Sequence, residues 1–337
     1  MKNHHQGKFI FLLVIFGFIL IQAFSQSFSV NTSRWVEAAE YKVEFAKSFR
    51  ENVFSMKSML DFVEFEKNNF VIGEGTESIT AKRTIYPYKI NKYETSYELW
   101  YLVRSEAENN FGYYFANPGQ EGSEGRRGRA PSKQGLQPVT TITWYDVVIW
   151  CNAFSELCGF TPCYTYNGEV LRDSSMTSFI DLCDCDFSAN GFRLPTETEW
   201  EYAARVNVSK DNIVVEKSNV ESGASWNFLN STGTMDIGSA SLENLSMEAL
   251  SNQIDGGNLS GIFDMSGNVL EYCFDWYGEY NLEKEGVQNA GSQFGSERVS
   301  RGGSFSEYTP FLNAGDRYAY DPNEAYGFMG FRIAQSL

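Results

Sequence analysis

The chain has 337 residues, a formal net charge of -16, 16% aromatic residues, and 29 glycines against 8 prolines. That length holds one large domain or two small ones around a substantial core. The acidic balance argues against nucleic acid as a partner, because phosphate binding needs a basic surface; it suits a cation ligand, or simply keeps the chain in solution.

The first stretch is not part of the fold. Lys2 and Lys8 flank His4 and His5, and "FIFLLVIFGFILIQAFSQ" then supplies an apolar run ending at Ala23-Phe24-Ser25. A positive start, an apolar middle and small residues before the cut predict a secretory signal peptide over 1–25, cleaved before Gln26. The protein is then expected in the periplasm, secreted or at the cell surface. An uncleaved membrane anchor is the alternative. No cysteine ends the run, which argues against a bacterial-type lipid anchor, and no second apolar stretch approaches the roughly 20 residues needed to cross a bilayer. Both histidines fall in this segment. The exported part would therefore have none, excluding Ser-His-Asp and Cys-His nucleophiles and histidine-ligated zinc or iron.

Residues 26–61 read as a helical leader, with an amphipathic helix from Arg34 to Leu60, and "FVEFEKNNFVIGEG" alternates and then turns as a strand does. Capped helices follow. "TSYELWYLVRSEAE" begins at Thr95 with Glu98 three residues on, a capping box. "TWYDVVIWCNAFSELCG" begins with Thr143 and Asp146 and stops at Gly159. "PTETEWEYAAR" repeats the device with Thr196 and Glu199, and sets Trp200, Ala203 and Ala204 on one face. The remainder is short aromatic-rich strands and glycine turns. Helices scattered among irregular strands predict an α+β fold with much loop and no repeat array.

Six cysteines, Cys151, Cys158, Cys163, Cys183, Cys185 and Cys273, would sit in an oxidising compartment. An even count there favours disulfides. Cys158, Cys163, Cys183 and Cys185 bracket one segment and are expected to staple it as an extended loop, with a four-thiolate zinc site as the rival. Cys151 and Cys273 fall in apolar patterns and are expected in the core. Arg193 and Arg332 recur beside aromatics and are expected to pair with internal carboxylates. Trp144, Trp150, Trp200 and Trp276 are expected to pack inside.

"PVTTITWYDVVIWCN" (138–152), "GFRLPTETEWEYAAR" (191–205), "GIFDMSGNVLEYCFDWY" (261–277), "RVSRGGSF" (298–305) and "GFRIA" (330–334) occur in this order. Together with "YKINKYETSYELWYLV" (88–103), they resemble the formylglycine-generating enzyme family, also called sulfatase-modifying factor. The resemblance spans 62–337 and implies a single α+β domain of elaborated C-type-lectin-like fold, one also used by small surface-displayed variable proteins of bacteria.

In "DMSGNVLE", Asp264, Gly267, Val269 and Glu271 place two carboxylates around a turn, with main-chain carbonyls between them. Such an oxygen-rich set suits Ca²⁺, and the resemblance implies calcium at these positions. The family's usual tryptophans are Leu270 and Tyr272 here, and the segment around Trp226 offers no second set of ligands.

In catalytic members, two cysteines five residues apart after the "GGS" segment bind copper as thiolates. Counted from Gly302-Gly303-Ser304, those positions are Glu307 and Leu312, so no catalytic residue and no copper is expected here. An iron-dependent branch of the family needs histidines. The loop 304–328 is expected instead to bind a protein or peptide ligand. Glu307, Tyr308, Phe311, Asn313, Arg317, Tyr318 and Tyr320 mix rigid aromatic area with adaptable hydrogen bonding, as recognition loops do. Two alternatives stay open: a formylglycine-generating oxidase with displaced ligands such as Cys183 and Cys185, and a purely structural exported protein stabilised by calcium.

Overall fold

The computed structural model describes residues 32–73, 80–132, 136–209, 212–215, 225–240, 258, 260–280, 292, 294–308 and 312–337. The expected signal segment 1–25 lies outside them. The chain divides into two units, Met1–Asn52 and Val53–Leu337. No described helix is long and apolar enough to cross a membrane. Helix α1 (Thr32–Ser58) corresponds to the expected leader helix.

From Phe62 onward strands are short and helices few. The stretch expected to form one strand makes two, β1 (Phe62–Phe65) and β2 (Asn68–Ile72), which turn to pair with different partners. β2 forms a hairpin with β3 (Ala81–Ile85), and β1 pairs antiparallel with β4 (Tyr88–Asn91). Helix α2 (Tyr97–Asn110) follows. β5 (Gln120–Glu121) pairs with β6 (Val139–Thr140), and helix α3 (Trp144–Leu157) comes next. β7 (Tyr164–Tyr166) pairs with both β8 (Glu169–Val170) and β9 (Asp184–Cys185), around the short helix α4 (Thr177–Asp181). Helix α5 (Glu197–Arg205) leads into the hairpin β10 (Val206–Ser209) and β11 (Asn212–Val215).

The last third builds a four-stranded sheet from β12 (Leu270–Trp276), β13 (Arg298–Arg301), β14 (Tyr318–Tyr320) and β15 (Met329–Gly330). Its order is β14-β13-β12-β15. The final strand, β16 (Ala334–Ser336), returns to β4, so the end of the chain closes against the start of the domain. The mixture is the α+β class expected from the sequence.

The core lies between helices α2, α3 and α5 and these strands. Trp100 stacks on Trp150 with ring centroids 5.9 Å apart, and the buried Phe331 sets its edge on both. Each fully buried tryptophan also finds a hydrogen-bond acceptor, as an interior indole must. Trp100 donates to Pro118 O, Trp150 to Trp100 O, Trp144 to Cys273 O and Trp200 to Glu271 Oε2. Trp276 departs from the expectation: it is half-buried, and the Arg298 guanidinium covers its face at 3.3 Å.

Two further sequence expectations are corrected. The N-cap of α2 is Ser96, whose Oγ accepts from Leu99 N; the side chain of Thr95 is buried with no hydrogen-bond partner among the described residues. The Thr95 main chain is committed outside the helix, donating to Phe331 O and accepting from Val139 N. Further, all six cysteines are free thiols, so no staple holds 158–185. Asn152 anchors the segment instead: its Nδ2 donates to Tyr164 O at 2.7 Å and Leu171 O at 3.0 Å, while its Oδ1 accepts from Tyr164 N. Cys151 and Cys273 are buried, as expected.

Candidate binding site at the C-terminal loop

The loop leaves β13 through Gly302 and Gly303, both with positive φ (95° and 71°), a backbone that side chains with a Cβ rarely adopt. A Cβ on Gly302 would also stand 3.1 Å from Trp200 Cζ2, so the chain passes close over the core. Beyond the glycines the chain curls on itself. Ser304 N donates to Glu307 Oε2 at 2.7 Å, and Glu307 N donates back to Ser304 O. Phe305 N donates to Asn268 O and Phe228 N to Glu307 O, so two other turns hold the loop from below. Phe305 is only half-buried, whereas Phe331 is fully enclosed.

These contacts produce an exposed aromatic surface. Tyr308 is 48% exposed and its ring lies 4.6 Å from that of Phe228, itself 53% exposed, with Leu229 at 71%. On β14, Tyr318 and Tyr320 are half-buried. Tyr320 meets Tyr326 and Phe328 at 5.0 and 5.7 Å, and those two rings stack at 5.2 Å. Glu307 lies close to both strand tyrosines: after burial, its charge is what raises their phenols, Tyr320 to about 12. Burial likewise raises the Glu307 carboxyl above the usual range.

Other residues singled out in the sequence face inward. Arg317 forks onto Glu197 (2.8 and 3.1 Å), donates to Gly278 O and lies 4.2 Å from the Tyr280 ring centroid. Asn313 caps its own turn, accepting from Gly315 N on Oδ1. Both shape the loop from beneath. Phe311 lies outside the described residues. At the two positions matching the family's cysteines, Glu307 is tied to Ser304, and Leu312 is buried at 2% exposure. The sequence reading missed Phe228 and Leu229, and named the stretch 304–328 without singling out Phe328. The first two sit in "WNFLN", about 80 residues from the loop they join, and only the fold brings them there.

Below the loop lies the acidic turn. Gly267 has φ +87°, and a Cβ there would stand 2.2 Å from Trp226 O; Asp264 and Asn268 also take left-handed backbone. Asp264 Oδ2 accepts from Gly238 N, whereas its buried Oδ1 accepts from nothing among the described residues. Glu271 turns both oxygens to Arg332 (2.5 and 2.7 Å) and also accepts from Trp200 Nε1. Glu94 joins this cluster, accepting from Asn268 Nδ2 and Val269 N. Burial drives its carboxyl well above the usual range, with Asp264 and Glu271 adding to the effect. Among the described residues, no group of three or more His, Cys, Asp or Glu side chains is arranged to hold a metal. One donor nevertheless fits a hard cation: the unpartnered Asp264 Oδ1, at a turn that also carries the carbonyls of Gly267 and Val269.

Arg193 and Arg332 play the structural part expected of them. Arg193 forks onto Glu199 at 2.7 and 2.8 Å, and Arg332 onto Glu271, all fully enclosed.

A family model described as a sulfatase-modifying factor enzyme 1-like domain matches residues 45–337. The chain is 27% identical over 282 residues to the chaperone protein LppX of Paenibacillus barcinonensis, covering 80% of this chain and 90% of that protein. It is 32% identical over 149 residues to a formylglycine-generating enzyme of Streptomyces coelicolor, a match that spans 43% of this chain and 46% of the enzyme. Among solved structures, Treponema denticola variable protein 1 superposes with a TM-score of 0.60 at 25% identity, over 82% of this chain and 95% of that one. CarF superposes with a TM-score of 0.58 at 22% identity, over 82% and 98%, a likeness of fold.

Proposed function

The chain belongs to the sulfatase-modifying factor enzyme 1-like family, and from that premise we propose that it is an exported, non-catalytic member that binds a protein or peptide ligand on its C-terminal loop. The observation carrying this reading is the loop itself. Copper chemistry needs soft thiolates, whereas the matching positions hold a carboxylate tied to its own turn and a buried leucine. In their place stand two aromatic groups, Phe228 with Tyr308, and Tyr320 with Tyr326 and Phe328. Tyrosine-rich surfaces of this kind offer large rigid contact area at low entropic cost. The relative that matches most of both chains is named a chaperone and the structural neighbour a variable protein, names that suit binding rather than oxidation.

An oxidase working through Cys183 and Cys185 has less support. Burial pushes the Cys183 thiol up to about 12 and Cys185 well above its ordinary value, which disfavours the thiolate. Calcium belongs to the proposal as a structural ion: Asp264 Oδ1 with the Gly267 and Val269 carbonyls would hold it, and it would neutralise charge among the buried carboxylates.

The binding proposal is tested with an immobilised library of overlapping peptides and the Phe228→Ser/Tyr308→Ser double variant. Wild type is expected to hold a subset that the folded double variant releases at least tenfold more readily. Equal binding by the two, or no binding at all, would contradict the proposal.

A further inference from the structure

Resting on the binding reading above, we propose that this surface selects a cationic ligand: an extended peptide segment whose lysine or arginine lies on the rings of Tyr320, Tyr326 and Phe328, with Glu307 as counter-charge. Several independent features point the same way. The three rings form one half-buried cluster, each within 6 Å of the next, and so offer partly open π faces. Elsewhere this protein covers such faces with its own cations: Arg298 lies on Trp144 and Trp276, Arg317 on Tyr277 and Tyr280, Arg205 on Phe70. Among the described residues no lysine or arginine lies over Tyr320, Tyr326 or Phe328.

The cluster is flanked by carboxylates, and Arg298, opposite Tyr320 in the sheet register, is held on Trp144, Trp276 and Asp181. Glu307 commits Oε2 to Ser304 N and makes no hydrogen bond through Oε1 among the described residues. Asp321 and Glu324 are exposed and close enough to Tyr326 to raise its phenol, after burial. The two arginines of 302–337 are both spent inside, Arg317 on Glu197 and Arg332 on Glu271. A ligand cation would therefore meet carboxylates and ring faces, the neighbouring arginines being held on partners of their own. Ring faces attract cations through their quadrupole, worth roughly three- to thirtyfold in affinity depending on desolvation. Among the described strands β14 ends its sheet, so an extended segment can run alongside it.

The test uses the full chain and labelled ten-residue peptides of glycine and serine carrying three arginines, three lysines, three norleucines or three glutamates. Anisotropy titrations are run in about 150 mM salt, where the Debye length is ~8 Å and diffuse attraction to the acidic chain is screened. The arginine and lysine peptides are expected to bind at least tenfold more tightly than the other two. Glu307→Gln, which keeps the bond to Ser304, and Tyr326→Leu are each expected to reduce that preference at least threefold. If the norleucine peptide binds as well as the cationic ones and the Phe228→Ser/Tyr308→Ser variant loses it, the binding surface stands and cation selection is overturned. If cationic peptides bind equally to wild type and both single variants, the attraction is diffuse and the inference is likewise overturned. If no peptide binds, this inference and the reading beneath it fail together.

Discussion

Arg332 donates to Glu271 through Nε and Nη2, to Phe263 O through Nη2, and to Asn91 O and Lys92 O through Nη1, with no exposed surface. Its fork joins β12, the turn after β4 and the segment before the acidic turn. Removing one partner of a buried ion pair strands the other charge in a poor solvent, which costs about 3–5 kcal/mol. Arg332→Met is therefore expected to lower the unfolding free energy by that amount in urea titration. A loss below about 1 kcal/mol would show that water reaches Glu271 and that the pair is not sealed. The sequence announced the internal role of this arginine through its aromatic neighbours, but not its partner. Glu271 lies 61 positions away, and in the sequence it suits a metal ligand equally well, because a carboxylate at the end of "DMSGNVLE" has the same appearance whether it faces a cation or a guanidinium.

The elements show which local signals survive folding. The capping box at Thr143 formed as read: Asp146 N donates to Thr143 Oγ1 at 3.1 Å, and Asp146 Oδ2 accepts from Thr143 N at 3.0 Å. Thr196 and Glu199 repeat it. Thr143→Ala removes the acceptor of a buried helix terminus and is expected to cost about 1–2 kcal/mol; a change within error in chemical denaturation would contradict the capping role. At α2 the same signal misled by one residue. Thr95 and Ser96 both offer hydroxyls, and Glu98 favoured Thr95, but long-range pairing to Phe331 and Val139 claimed the Thr95 backbone. Strand boundaries were less legible still. Strands of two to five residues, such as β5 and β15, are too short for a period-two pattern to emerge and are fixed by their partners.

At the scale of the whole molecule, buried carboxylates set the pH response. Burial, then Glu197, lifts Asp275 from 3.8 to about 7, while its Oδ2 accepts from Glu197 N at 2.7 Å. A carboxyl raised in the folded state holds its proton more tightly there than in the unfolded chain. Its stabilising share is complete below about pH 4 and is lost as pH rises toward 7. Between pH 6 and pH 8 this linkage removes roughly 1 kcal/mol. Asp275→Asn keeps an oxygen for Glu197 N and is expected to flatten that dependence in urea midpoints at the two pH values; an unchanged slope would place its origin elsewhere. Burial raises Glu201 in the same direction.

Much of the global picture was legible in advance, because several motifs in fixed order identify a scaffold even where the strands cannot be read. The site was legible only in part. Glu307, Tyr308, Tyr318 and Tyr320 could be named from one continuous loop. The ring of Phe228 reaches it through a hydrogen bond from Phe228 N to Glu307 O that no local pattern encodes.

The central claim, a binding surface in place of a copper site, is tested most directly by incubating the purified chain with copper, oxygen and a cysteine-bearing sulfatase-type peptide. The peptide mass is then followed. The account predicts an unchanged thiol from protein shown to be folded. Loss of the thiol with appearance of the aldehyde would contradict it, and would place the chemistry on cysteines away from Glu307 and Leu312.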